Sequence, residues 1–288
     1  MLRVLFNFIM GIGIFAKTFI RPTLEQVLDC VYEQGIKNIQ FNMSCAGLAP
    51  LPDFIDPVTS KRIFHETERR DIKISAVSGT FNMIHPNKLE REIGLARLNT
   101  LATASKEMGA SVITLCTGTR DPDNMWRKHP GNREGSAWKD LLACMETALG
   151  IAENHNVMLA FEPEQANVVD SAEKGKRLLN EMKSNKLKVV FDAANLFHKD
   201  NISHMKQTME NAFHLLNDAI IMAHAKDINI NKNELRFVAA GEGILDYDTY
   251  LKLLHEYRFS GALILHDLGE LQVRSSVQFI RQKLELIN

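Results

Sequence analysis

Four short apolar runs in the second half of the chain each end on a side chain able to bind a divalent metal. Val157-Met158-Leu159-Ala160-Phe161 ends on Glu162, and Leu187-Lys188-Val189-Val190-Phe191 ends on Asp192. Ile220-Ile221-Met222-Ala223 ends on His224, and Ala262-Leu263-Ile264-Leu265 ends on His266. Carboxylates joined by two imidazoles favour a transition ion over magnesium or calcium. The first two runs are separated by a polar, helix-patterned segment, the outline of a βαβ unit. Strands joined in this way are parallel, so their carboxyl ends lie on one side of the sheet. Glu162, Asp192, His224 and His266 are therefore read as metal ligands around one pocket.

The elements that must position these residues follow one rhythm along the chain. Strand-like runs in the first half cover Leu5–Ile14, Ile36–Phe41, Ile72–Val77 and Ser111–Cys116. Helix patterns cover Thr23–Gln34, a segment ending at Arg70, Leu89–Met108 and Trp138–Asn154. In the second half, helices are read near Ser171–Lys183, Ser203–Leu216, Tyr247–Tyr257 and Gln272–Leu286. Thr23 offers an N-cap for the first helix and Gly35 its end. Eight strand-like runs alternating with eight helix-like ones is the count for a (β/α)8 TIM barrel. A doubly wound open sheet would need a Gly-rich phosphate loop after the first strand. Gly11-Ile12-Gly13 lacks the third glycine and sits inside the strand. No linker or composition shift divides the chain, so residues 1–288 are read as a single barrel domain.

Composition narrows the function classes. The chain has 288 residues, 34 basic against 35 acidic, and no clustered basic run, which argues against nucleic acid or an anionic membrane as partner. Cys30, Cys45, Cys116 and Cys144 show no CxxC spacing and no disulfide framework, as in a reducing cytoplasm. The apolar stretch Leu2 to Ile20 resembles a signal peptide but lacks a small-residue cleavage site, and Asn7 with two glycines interrupts it. A first barrel strand is the better reading.

Further residues gather around the same pocket. Glu164, two residues beyond Glu162, points to the same side if the strand continues. It could bind substrate hydroxyls, serve as a second acid/base, or form a surface salt bridge. Lys226 could neutralise a developing oxyanion, bind a phosphate, or pair with Asp227. His85 follows the third strand. The polar loop Thr117–Gly135 is too long for a simple connector and is a candidate lid or binding loop, carrying Trp126 and His129.

The chain resembles the xylose-isomerase-like TIM-barrel superfamily of sugar isomerases and epimerases. The resemblance is carried by Phe161-Glu162-Pro163-Glu164, Phe191-Asp192-Ala193-Ala194-Asn195-Leu196, His224-Ala225-Lys226-Asp227 and Gly241-Glu242-Gly243-Ile244-Leu245-Asp246-Tyr247. It implies one divalent ion at the ends of strands five to eight, with Glu162, Asp192 and His224 on three ligand positions. Manganese is the family-level expectation, with zinc, cobalt, iron and magnesium as alternatives. Ketose 3-epimerases of this superfamily end strand eight on a second glutamate, where this chain has His266 followed by Asp267. Asn195 stands where those enzymes carry a substrate-facing histidine. The resemblance implies an isomerase or epimerase acting on a small sugar, sugar acid or sugar phosphate. Glu162, Glu164 and Lys226 are its catalytic candidates, with His85, Trp126, His129 and Asn195 facing substrate. The chemistry is proton abstraction next to a carbonyl through a metal-stabilised enediolate. Loss of a β-hydroxyl from the same species gives the alternative, a dehydratase of the inosose or dehydroshikimate type, and a barrel that only binds sugar is a third reading. Dimers or tetramers are common among such barrels.

Overall fold

The computed structural model describes residues 10–231 and 234–287. Ten strands are found among them. Eight form the closed parallel barrel: β1 (Gly11–Phe15), β2 (Asn38–Phe41), β3 (Lys73–Ser78), β4 (Val112–Cys116), β5 (Met158–Glu162), β6 (Leu187–Asp192), β7 (Ile220–Ala225) and β10 (Ala262–Leu265). β8 (Asp227–Asn231) and β9 (Glu234–Val238) pair antiparallel as a separate ribbon directly after β7. Eight helices alternate with the barrel strands: α1 (Leu24–Glu33), α2 (Pro57–Glu68), α3 (Lys88–Ser105), α4 (Gly135–His155), α5 (Ala172–Met182), α6 (Met205–Leu216), α7 (Tyr247–Glu256) and α8 (Val273–Glu285). The expected (β/α)8 architecture is the observed one. Of the run read as the first strand, Leu5–Ile9 lies outside the described residues.

Local chemistry sets the helix starts. Thr23, Asn87, Ser171 and Asp246 each accept a backbone N–H of the first turn through the side chain. Asp56 does the same for α2, whose first residue, Pro57, has no N–H to satisfy.

Two apolar layers follow from strand parity. Outward-facing residues such as Phe41, Leu115, Phe161 and Phe191 are buried against the helices. Inward-facing Phe15, Ala76, Val112, Ala160, Val190, Met222, Ala262 and Ile264 fill the barrel. Side chains two residues apart on a strand share a face. Glu162, Asp192, His224 and His266 therefore stand one step above Ala160, Val190, Met222 and Ile264, at the carboxyl end of the barrel. Asp192 is in direct register with His224 on the neighbouring strand.

The ribbon has no counterpart in the sequence reading, and it fixes the chain after β7. Asp227 accepts from the N–H groups of Ile228 and Leu245, both at 2.8 Å, and Gly241 at 3.1 Å. A Cβ at Gly243 would lie 2.2 Å from the Ile228 carbonyl oxygen and 2.3 Å from Asp227 Oδ1. Only glycine lets the turn approach this closely. Asp227 is thus committed to backbone amides, which removes it as the partner of Lys226.

Candidate metal centre

Glu162 from β5, Asp192 from β6 and His224 from β7 each present one ligand atom, and these atoms all lie within 4.8 Å of one another. His224 Nδ1 is 3.3 Å from Glu162 Oε1 and 3.6 Å from Asp192 Oδ2. Hydrogen bonds from neighbouring residues hold each side chain in place. Asp192 Oδ1 accepts from Ala194 N–H at 3.0 Å, and Glu162 Oε1 accepts from the Asn195 amide at 2.7 Å. The remaining ring nitrogen of His224, Nε2, sits 2.8 Å from Gln40 Oε1. Asp192 Oδ2 and His224 Nδ1 are buried and have no hydrogen-bond partner among the described residues. Buried polar atoms are rarely left without a hydrogen bond, and a buried imidazole nitrogen that has none, converging with two carboxylates, fits a cation. A mixed carboxylate–imidazole set suits a divalent transition ion.

His266 is not brought into that cluster. Its ring lies parallel on the His224 ring, centroids 4.8 Å apart and planes 12° apart, and on its far side packs against Phe15 at 5.5 Å. Its Nδ1 is also buried and without a hydrogen-bond partner among the described residues, 3.5 Å from Asp267 Oδ1. Lys226 is buried, its Nζ 3.2 Å from Asp192 Oδ2 and 3.6 Å from Asp267 Oδ2. The Phe237 ring of the ribbon covers that ammonium at 3.9 Å, a cation–π contact the sequence reading did not contain.

The remaining candidates divide. Glu164 lies beside the centre, its Oε2 accepting from the Asn167 amide at 2.9 Å. Asn195 spends its amide on Glu162 and on the Pro163 carbonyl, at 3.3 Å. It therefore orients a carboxylate of the centre. His85 bonds to the Pro122 carbonyl at 3.0 Å and to Asn87, tying two loops together. His129 accepts from Gly131 N–H and starts a short 3-10 turn, Pro130–Arg133. Trp126 is half exposed at the loop surface. The structure joins none of His85, Trp126 and His129 to the three converging residues.

Electrostatics at the site are those of a cluster short of positive charge. Burial alone would lower the His224 pKa, but the Glu162 and Asp192 carboxylates raise it to about 9. Burial likewise opposes charge on Lys226, and Asp192, Glu162 and Asp267 outweigh it, holding the ammonium protonated. Burial, then the charge of Glu162, pushes Glu164 up to about 8.

Comparison with known proteins places this geometry. The sequence profile of the xylose isomerase-like TIM barrel family matches residues 34–283. The chain belongs to that family. No sequence among curated proteins matches it. Among solved structures, a D-tagatose 3-epimerase-like protein superposes with a TM-score of 0.75 at 16% identity, covering 97% of this chain and 98% of its own. The probable 3-DHS dehydratase AsbF from Bacillus anthracis gives 0.72 at 14%, covering 94% and 99%. IolI with a bound zinc atom gives 0.71 at 16%, covering 96% and 98%. At such identities the likeness is one of fold. Among the described residues no helix is long and apolar enough to cross a membrane.

Proposed function

We propose that this barrel is a divalent-metal-dependent isomerase or epimerase of a small sugar, sugar acid or sugar phosphate. The observation that carries the reading is the convergence of Glu162, Asp192 and His224, with the buried His224 Nδ1 aimed at the two carboxylates and given no hydrogen bond. A divalent ion held there by those three residues, with His266 adjacent, would act as a Lewis acid on a carbonyl and acidify the neighbouring C–H. Manganese and zinc both suit the donor set. The chain's own groups supply the proton traffic. Glu162, oriented by the Asn195 amide, removes the proton. Glu164, raised to about 8 by burial and by Glu162, holds a proton near neutral pH and returns it. Lys226, desolvated and fixed between Asp192 and Asp267, offsets negative charge as it develops on oxygen. A carbohydrate is the substrate class most compatible with the family and with a mouth rimmed by polar loops. Four free thiols are compatible with a cytoplasmic setting.

The dehydratase reading shares the first step and differs in the fate of the proton and a β-hydroxyl. The test separates them. Metal-loaded protein is incubated with a panel of ketoses, keto-acids and their phosphates in deuterated water, and carbon-bound deuterium is followed by NMR. Exchange with an isomeric product supports the proposal. Exchange with net loss of water replaces it by the dehydratase. Neither, with the metal bound and the whole panel tried, overturns proton abstraction next to a carbonyl.

A further inference from the structure

Inside the barrel, below the three converging ligands, lies a polar chain that the apolar interior does not require. Gln40 on β2 is 4% exposed and stands in direct register with Phe15 on β1 and Ala76 on β3. Its Oε1 sits 2.8 Å from His224 Nε2 across the barrel, and its Nε2 donates to Thr114 Oγ1 on β4 at 3.3 Å. Burying a primary amide among apolar side chains costs free energy unless its groups are paired, and here both ends of the amide are paired. Thr114 takes the amide N–H, which leaves the amide oxygen facing the histidine. An oxygen acceptor demands a hydrogen on His224 Nε2. The lone pair of the neutral ring then lies on Nδ1, the atom aimed at Glu162 and Asp192.

Without that acceptor the ring has a competing arrangement. The two carboxylates at 3.3 and 3.6 Å attract a hydrogen to Nδ1, and a protonated Nδ1 cannot bind a cation. The stacking of His266 fixes the plane of the ring but is indifferent to which nitrogen carries the hydrogen. Gln40 is not indifferent. We infer that Gln40, oriented by Thr114, is a positioning residue that holds His224 in the Nε2–H tautomer and so reserves Nδ1 for a divalent ion. This rests on the metal centre proposed above. Partners of metal-bound histidines that fix the tautomer typically contribute 10–100-fold in affinity.

The test reads metal binding rather than turnover. Chelator-treated wild type, Gln40→Met, Gln40→Glu and Thr114→Val are titrated with Zn²⁺ and with Mn²⁺ by calorimetry against a competing chelator. Gln40→Met keeps the volume but offers no acceptor, and its Kd should rise about 10–100-fold. Gln40→Glu keeps an oxygen acceptor facing His224 Nε2, and should stay within about threefold of wild type. Thr114→Val frees the amide to turn and should fall between the two. In the Zn²⁺-loaded wild type, long-range ¹H–¹⁵N correlation should place the hydrogen of the His224 ring on Nε2. Equal affinities for wild type and Gln40→Met overturn the inference, as does a Gln40→Glu variant as weak as Gln40→Met, which would make the effect one of packing. A hydrogen found on Nδ1 overturns it too, and settles the matter should Gln40→Met not fold. Wild type that binds neither ion overturns the metal centre itself, a distinct result from equal affinities.

Discussion

Lys226 offers the sharpest energetic test of the site, because its ammonium is buried against a carboxylate that has no exposure of its own. Nζ stands 3.2 Å from Asp192 Oδ2, with side-chain exposures of 3% and 0%. At an effective dielectric near 20, unit charges at that distance attract by about 5 kcal/mol. Lys226→Met removes the charge while keeping most of the stem volume under Phe237. Breaking a buried pair on one side costs roughly 3–5 kcal/mol, because the surviving charge stays desolvated. The lower half of that range applies here: Asp192 keeps the Ala194 amide at 3.0 Å and His224 Nδ1 at 3.6 Å. With an unfolding entropy of about 2.1 cal/mol/K per residue over 288 residues, each kcal/mol is worth about 1.7 °C, so the chelator-treated variant should lose about 5–7 °C in Tm. Asp192→Asn in the same background leaves no orphaned charge, and the double variant should recover about 1–3 kcal/mol relative to additivity. Calorimetric melting of the wild type, both single variants and the double variant is the assay. A loss under about 1 kcal/mol for Lys226→Met, or strict additivity, would refute the view that Lys226 is held in place by Asp192.

Three further outcomes follow. An ion at 100 times its Kd stabilises the native state by about 2.7 kcal/mol, so Zn²⁺ or Mn²⁺ should raise the Tm of chelator-treated protein by about 4–5 °C, and Asp192→Asn should abolish most of that rise; no shift with either ion refutes the centre. Glu164→Gln should leave the metal Kd within about threefold while cutting deuterium exchange into substrate about 10²–10⁴-fold; unchanged exchange would remove Glu164 from the proton path. Asp121 accepts from the N–H groups of Asp123 and Asn124 and pairs with Arg127, and the Arg127 bond holds its carboxyl below the usual range. A depressed folded-state pKa gives stabilisation that is complete above the unfolded value near 4 and fades as pH falls further. The Tm gap between wild type and Asp121→Asn should thus hold steady from about pH 5 to 8 and close below about pH 4; a gap that widens on acidification contradicts this sign.

The parts of the site that could be read from sequence are those whose position is fixed by strand parity alone. An apolar strand ending on a polar residue two steps beyond an inward-facing one puts that residue at the barrel mouth, which is why Glu162, Asp192 and His224 were legible. His266 obeys the same parity, yet its role depends on ring orientation, and Phe15 stacks it flat on His224. No spacing rule carries that information. Gln40 was hidden for a different reason. A single amide in the four-residue strand Asn38–Phe41 looks like ordinary edge polarity, and its partner lies 184 positions away. Only closure of the barrel, β1 against β10, brings them together. The ribbon did leave a trace: Ile228 and Ile230, then Leu235 and Phe237, alternate with polar residues. A count of eight barrel units simply gave that alternation no place to go.

The same contrast bears on why His266 can stand where related ketose epimerases are expected to carry a carboxylate. A third anion at the mouth would have to share one ion with Glu162 and Asp192, and Lys226 already draws on Asp192. Replacing that anion by an imidazole stacked on a ligand ring leaves two carboxylates, whose charges together match one divalent cation. Lys226 adds a positive charge shared between Asp192, at 3.2 Å, and Asp267, at 3.6 Å. On the proposed reading such a pocket would favour a bound species that becomes negative during the reaction over one that stays neutral. On the same reading Glu164 returns the proton, being, among the described residues, the acidic side chain beside the centre that burial pushes toward its protonated form.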